Sequence, residues 1–169
     1  MPHQRSLKDI SIRDDFQYGD LGIVLSMHGE LYHKEYQLNH EFEAYVAEGI
    51  GEFARQYREG RSKLWIAEDK GKAIGTVTIM ERSPQQAQFR WFLIHPDYRG
   101  IGLGKTLVGK TIAFSQEAGY QSIYLWTLEH LTAARILYER FGFKLEDKKT
   151  HFLWGQNLTE ERYLLNLKK

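Results

Sequence analysis

Residues His95 to Val108 read HPDYRGIGLGKTLV, with Gly100, Gly102 and Gly104 alternating between Arg99 and Lys105. A glycine has no Cβ, so its backbone can approach an anion closely. The start of a helix leaves N–H groups unpaired and carries roughly half a positive charge. A strand, these glycines and then a helix would make a seat for a pyrophosphate, with Arg99 and Lys105 adding charge at its rim. Three uses stay open: a phosphate cradle, a dinucleotide-binding turn, and a tight connection without a ligand. The nucleotide-triphosphate loop needs G-x-x-x-x-G-K-[ST]. Here Gly100, Gly104, Lys105 and Thr106 leave the glycines one residue too close. The dinucleotide fingerprint G-x-G-x-x-G lacks its third glycine in place. An isolated G-x-G is as often a plain turn, but its place between a strand and a helix favours a ligand.

Other chemistries are narrowed by composition. The 169 residues contain no cysteine, which removes disulfides, thiolate catalysis and Cys-based zinc sites. The seven histidines form no His-x-x-x-His pair and join no acidic cluster, so no metal is expected. Basic and acidic residues number 23 and 22, for a net charge of +1, which predicts neither a nucleic-acid nor an anionic-membrane partner. The polar start MPHQRSLKDISIRDD has no apolar signal region. No apolar stretch approaches the roughly 20 residues of a membrane span. We therefore expect a cytoplasmic chain, with residues 1–169 forming one domain.

The elements that would hold the glycine stretch follow from periodicity. Asp9 to Arg13 suggests a first edge strand. A helix is expected from Asp20 as N-cap, interrupted at Gly29. Phe42, Val46, Ile50, Phe53 and Tyr57 form the core-facing stripe of a second helix. Residues 63–69 and 72–81, joined by Lys70-Gly71, read as a β-hairpin. A turn at 83–86 leads to a third strand, 87–96, ended by Pro96. Residues 105–119 are helical, with Gly119 as cap. A strand at 120–128, a short helix from Thr132 ending near Gly142, and closing strands at 143–147 and 162–167 complete the chain. This is α/β with a mixed sheet, and a right-handed crossover should join two parallel strands.

The stretch from His95 to Val108 resembles the acyl-CoA-binding motif of the GNAT N-acetyltransferases, R/Q-x-x-G-x-G/A, matched by Arg99, Gly102 and Gly104. AARILYERFGF resembles the helix that carries A-x-x-L-Y-x-x-x-G-F in that superfamily, matched by Ala134, Leu137, Tyr138, Gly142 and Phe143. The two lie at the usual separation, with one strand between them, and the likeness covers nearly the whole chain. The segments at 28–36 and 151–167 resemble the acetyltransferase half of bacterial fusions with a MarR-type regulator. With no room for a regulator before Ile10, a stand-alone enzyme is expected. One departure stands at Leu131, where the helix motif usually carries an asparagine.

The resemblance implies a mostly antiparallel central sheet with flanking helices and a splayed acyl-CoA-binding cleft. It implies acetyl-CoA as cosubstrate and a primary amine, of a small molecule or a protein, as acceptor. Cofactor contacts would come from Phe92, Leu93 and Ile94, with Trp91 beginning that strand, and from Arg99, Gly100, Ile101, Gly102, Leu103, Gly104 and Lys105. Backbone N–H groups near Phe92 and Leu93 would polarise the thioester carbonyl. Tyr138 matches the tyrosine that protonates the departing thiolate. Base candidates are Glu81, Glu129, His130, His28 and Glu30, and a water relay would need none of them. Trp91, Trp126, Trp154, Tyr32 and Tyr36 are candidates for lining the acceptor pocket, and His28, Glu30 and Glu129 are candidates for contacting the acceptor as well. A homodimer is common in the superfamily. Against the acetyltransferase stand a non-catalytic acyl-CoA sensor of the same fold, a nucleotide-triphosphate enzyme and a nucleic-acid binder. The triphosphate reading lacks an acidic residue to hold magnesium, and the nucleic-acid reading lacks a basic stripe.

Overall fold

The computed structural model describes residues 5–167; the first four residues of the polar start and the last two lie outside. A short 3-10 turn, Leu7–Asp9, leads into β1 (Ser11–Arg13). Two helices follow, α1 (Asp20–Tyr36) and α2 (His40–Gln56). Then come β2 (Lys63–Asp69), β3 (Lys72–Glu81) and β4 (Gln86–Ile94). A second 3-10 turn, Pro96–Tyr98, precedes α3 (Leu103–Glu117), β5 (Ser122–Leu128), α4 (Thr132–Arg140), β6 (Lys144–Leu153) and β7 (Gln156–Asn166). The strands form one sheet in the order β1-β2-β3-β4-β5-β7-β6. Only β4 and β5 are parallel, and α3 crosses between them. The sheet is therefore mixed and mostly antiparallel, as expected.

The central strands β2, β3 and β4 are buried on both faces. On β2, Leu64 and Ile66 pack with Val46, Ile50 and Phe53 of α2, while Trp65 and Ala67 join Leu107 and Val108 of α3. This is the period of two of a strand acting on a core that has helices above and below. No helix among the described residues is long and apolar enough to cross a membrane.

Several expectations need correction. Gly19, with φ of 94°, caps α1, and Asp20 is its first residue. The buried Asp20 carboxylate instead accepts from Arg13 at 2.6 and 2.9 Å and from the Gln17 N–H at 2.8 Å. Gly29 does not interrupt α1. A Cβ there would lie 2.9 Å from Cδ of Glu43, so the glycine lets α2 pack close. Asp9 belongs to the 3-10 turn, and α3 begins inside the glycine stretch, at Leu103. The closing strands are much longer than expected. Nine of the ten β6 residues are exposed, so that strand shows no alternation to read.

Candidate active site

The site is made by a fault in the sheet. β4 and β5 pair only from Gln86–Gln88 to Ser122–Tyr124, although β4 runs on to Ile94 and β5 to Leu128. On its other edge β4 carries a bulge: Trp91 and Phe92 stand opposite the single Val77. Trp91 takes a left-handed backbone, φ 49°, which a bulky residue adopts only when its surroundings compel it. The buried Thr76 hydroxyl donates to the Trp91 carbonyl at 2.7 Å and pins the bulge. Beyond Gln88 the two parallel strands separate, and a cavity of about 120 Å³ opens between them.

Each glycine behind β4 has its own reason. Gly100 and Gly102 have φ of 78° and 90°, a backbone that any L side chain would strain. Gly102 is the N-cap of α3, and no side chain caps that helix start, so its first N–H groups are available to a ligand. Gly104 lies within the first turn of α3. A Cβ there would stand 3.2 Å from Leu137 and 3.4 Å from Ile94 and Phe92, so this glycine serves the packing of α3 on β4 and α4. Arg99 does not contribute unmatched charge at the rim. Its guanidinium donates to both carboxylate oxygens of Glu35, at 2.6 and 2.9 Å, and to the Ile94 carbonyl at 3.0 Å.

Tyr138 of α4 reaches the cavity from the α3 side and is only 5% exposed. It packs against Phe89, Phe92 and Phe143, with ring centroids 5.6 to 6.1 Å away. Among the described residues its hydroxyl has no hydrogen-bond partner. Burial raises its pKa well above the ordinary tyrosine value, so it holds its proton.

The opposite wall comes from α1, α2 and the β6–β7 turn. His28, Tyr32, Phe42 and Tyr45 line it together with Trp154, beside Arg90 and Trp91 of β4 and Trp126 of β5. His28 is 3% exposed, and its Nδ1 donates to the Val24 carbonyl at 2.8 Å. Nε2 therefore bears the lone pair, and it is buried without a partner. Burial, with help from the Arg90 charge, pulls the imidazole down to about 4, so it is neutral. Tyr32 lies parallel to it at 5.8 Å and is itself pushed up by burial.

Not every candidate base reaches this cavity. Glu81 lies outside its lining, paired with Arg61 at 3.1 Å and Arg58 at 3.2 Å. Glu129 is exposed and bonded to Lys148 at 2.8 Å, which lowers its pKa. Glu30 accepts from Ser26 at 3.1 Å and lines a groove between α1 and α2 instead. His130 and Tyr36 lie outside the lining and pack together with ring centroids 4.8 Å apart and planes tilted by 57°, and partial burial lowers the His130 pKa. Leu131, where the helix motif usually has asparagine, lines the cavity with an apolar side chain. Gln88, Arg90, Tyr45 and Glu160 also line it, and sequence reasoning missed them. Arg90 had a signal: a charge in mid-strand between Phe89 and Trp91.

The sequence profile of the Acetyltransferase (GNAT) family matches residues 27–143, from within α1 through α4. The chain belongs to the GNAT acetyltransferase family. Among curated relatives, an N-acetyltransferase of Schizosaccharomyces pombe is 33% identical over 57% of this chain and 61% of its own length. The N-acetylaspartate synthetase of Xenopus tropicalis is 30% identical over 67% of this chain and 42% of its own. The matches thus span roughly 40–60% of the length of these relatives. Solved GNAT structures share the fold. An acetyltransferase of Streptococcus agalactiae superimposes with a TM-score of 0.77 at 19% identity, covering 95% of this chain and 100% of that one. A GNAT acetyltransferase of Elizabethkingia anophelis with acetyl-CoA bound scores 0.66 at 15% identity, covering 94% and 99%. The spermidine N-acetyltransferase of Vibrio cholerae, in complex with CoA and spermine, scores 0.70 at 20% identity, covering 95% and 96%. Among the described GNAT residues no group of three or more His, Asp or Glu could hold a metal ion.

Proposed function

We propose that this GNAT chain is an N-acetyltransferase that moves an acetyl group from acetyl-CoA to a primary amine by direct transfer. The observation that carries this reading is the split between β4 and β5, whose cavity is lined by Phe92 and Tyr138. The start of α3 packs beside that split, where Gly104 meets Phe92 and Ile94 of β4 and Leu137 of α4. The donor fits this arrangement: the positive φ of Gly100 and Gly102 presents backbone N–H groups to a pyrophosphate, with Ile101, Leu103, Gly104 and Lys105 completing the loop. Arg99 acts there through its backbone, because Glu35 already matches its charge. The free edge of β4 at Trp91–Ile94 offers main-chain groups to the pantetheine arm.

When bound, acetyl-CoA supplies an activated thioester and a thiol leaving group. The chain supplies the rest. The N–H group of Phe92, at the bulge and on the edge of β4 that faces the gap, stabilises charge developing on the carbonyl oxygen, while Leu93 pairs with Thr76 of β3. His28 Nε2 accepts a hydrogen bond from the amine and fixes its lone pair toward the carbonyl. As the N–C bond forms and the C–S bond breaks, the amine gives up one proton to solvent water. Tyr138 donates one to the departing sulfur and is reprotonated from solvent.

Calorimetric titration with acetyl-CoA, beside Mg-ATP, tests the reading. Acetyl-CoA should bind and ATP should not. Gly102→Glu, which strains the backbone and sets a negative charge at the helix start, should weaken acetyl-CoA at least tenfold. A folded protein that ignores acetyl-CoA sinks the proposal.

A further inference from the structure

The acceptor wall contains a charge that the fold leaves unanswered. Six arginines among the described residues are half-buried, namely Arg13, Arg61, Arg82, Arg90, Arg135 and Arg162. Five of them are ion-paired, to Asp20, Glu81, Glu52, Glu161 and Glu146 respectively for all but Arg90. Taking a guanidinium out of water is costly, and a carboxylate partner is the usual compensation. Arg90 has no carboxylate of the described residues within 4.0 Å. It lies over the Trp91 ring at 4.6 Å and the Tyr45 ring at 5.7 Å, and Nη2 donates to the Tyr45 hydroxyl at 3.3 Å.

Two further observations give this position a purpose. A Cβ at Gly49, in the interior of α2, would stand 2.8 Å from Nη2 and 3.0 Å from Nη1 of Arg90. A glycine inside a helix costs about 1 kcal/mol relative to alanine, and here it makes the room the guanidinium occupies. The cavity also holds one carboxylate, Glu160, but its Oε2 bonds His151 at 2.7 Å, away from Arg90. The face toward the acceptor is thus a planar cation with donors to spare, set near the neutral imidazole of His28.

We propose that the acceptor is an amine that carries its own carboxylate, a free amino acid, and that Arg90 binds that carboxylate while His28 receives the amine. This rests on the acetyltransferase reading above. Arg90 is then a specificity-determining residue: its charge favours an anionic group and disfavours a polyamine, whose further ammonium groups would face it.

Thiol release from acetyl-CoA, measured with free L-amino acids, the matching amino-acid amides and spermidine, tests the assignment. The best free amino acid should exceed its own amide by about 10- to 100-fold in kcat/KM, the range of one charge-assisted pair. Arg90→Gln should erase that margin, chiefly through KM for the amino acid, and Arg90→Lys should restore part of it. The acetyl-CoA Kd by calorimetry should stay unchanged in both variants, and the amide should lose much less in kcat/KM than the amino acid. Equal or better use of amides or spermidine overturns the inference and leaves the acetyltransferase reading standing. So does a loss in Arg90→Gln that is the same for acid and amide. Acetyl-CoA binding without turnover of any amino acid also overturns it. Absence of acetyl-CoA binding overturns both readings.

Discussion

His28 makes the stability of this protein depend on pH in a way that can be worked out in advance. Its imidazole is buried, its Nδ1 proton is committed to the Val24 carbonyl, and Arg90 faces it with a positive charge. Its pKa in the folded chain is pulled from 6.5 to about 4. The unfolded chain therefore binds the proton first, and stability is lost as pH falls below about 6.5 toward the folded pKa. Each tenfold change in proton affinity is worth about 1.4 kcal/mol, so the full effect approaches about 3 kcal/mol. Between about pH 7 and about pH 4.5 the part expressed is about 2 kcal/mol. The perturbation is His28→Leu, which removes the titrating ring and keeps an apolar side chain. Carboxylates elsewhere titrate in both proteins and cancel in the comparison. Urea unfolding at the two pH values should show the natural protein losing about 2 kcal/mol more than the variant, at equal m-value. Equal losses in the two proteins would falsify the assignment of a buried, neutral imidazole at this position.

Other expectations follow from the same site. Tyr138→Phe should lower kcat by about a hundredfold while the acetyl-CoA Kd holds, as expected for a lost general acid; an unchanged kcat removes Tyr138 from the chemistry. Because burial raises the Tyr138 pKa, kcat in the natural enzyme should show no falling limb below the ordinary tyrosine range near pH 10. Glu81→Ala should leave kcat and KM unaltered and reduce stability by at most about 1 kcal/mol, since it only frees Arg58 and Arg61. A large kinetic loss there would mean that the cavity does not hold the acceptor. Gly49→Ala should raise acceptor KM by displacing the Arg90 guanidinium, with little effect on acetyl-CoA binding, as calorimetry beside steady-state kinetics would show.

The amino-acid order alone determined the elements with a strong period. The stripe from Phe42 to Phe53 made α2 visible. The apolar runs around Lys70-Gly71 made the β2–β3 hairpin visible, and both turn residues do take positive φ. The glycine stretch and the Tyr138 helix were legible because backbone constraints and fixed spacing leave marks in a one-dimensional string. The far half of β6, beyond Asp147, was not legible, because a strand exposed on both faces needs no hydrophobic alternation. The cavity wall was legible only in part: His28 and Trp154 stood among the candidates, but their meeting with Tyr45, Arg90 and Glu160 was not. These residues come from α1, α2, β4, the β6–β7 turn and β7, and no local pattern relates them. Nor could the string tell that Glu81 would be paired off and His28 left with an open lone pair. Burial and ion pairing are set by which distant groups the fold brings within a few ångströms, and that is decided only when the sheet closes.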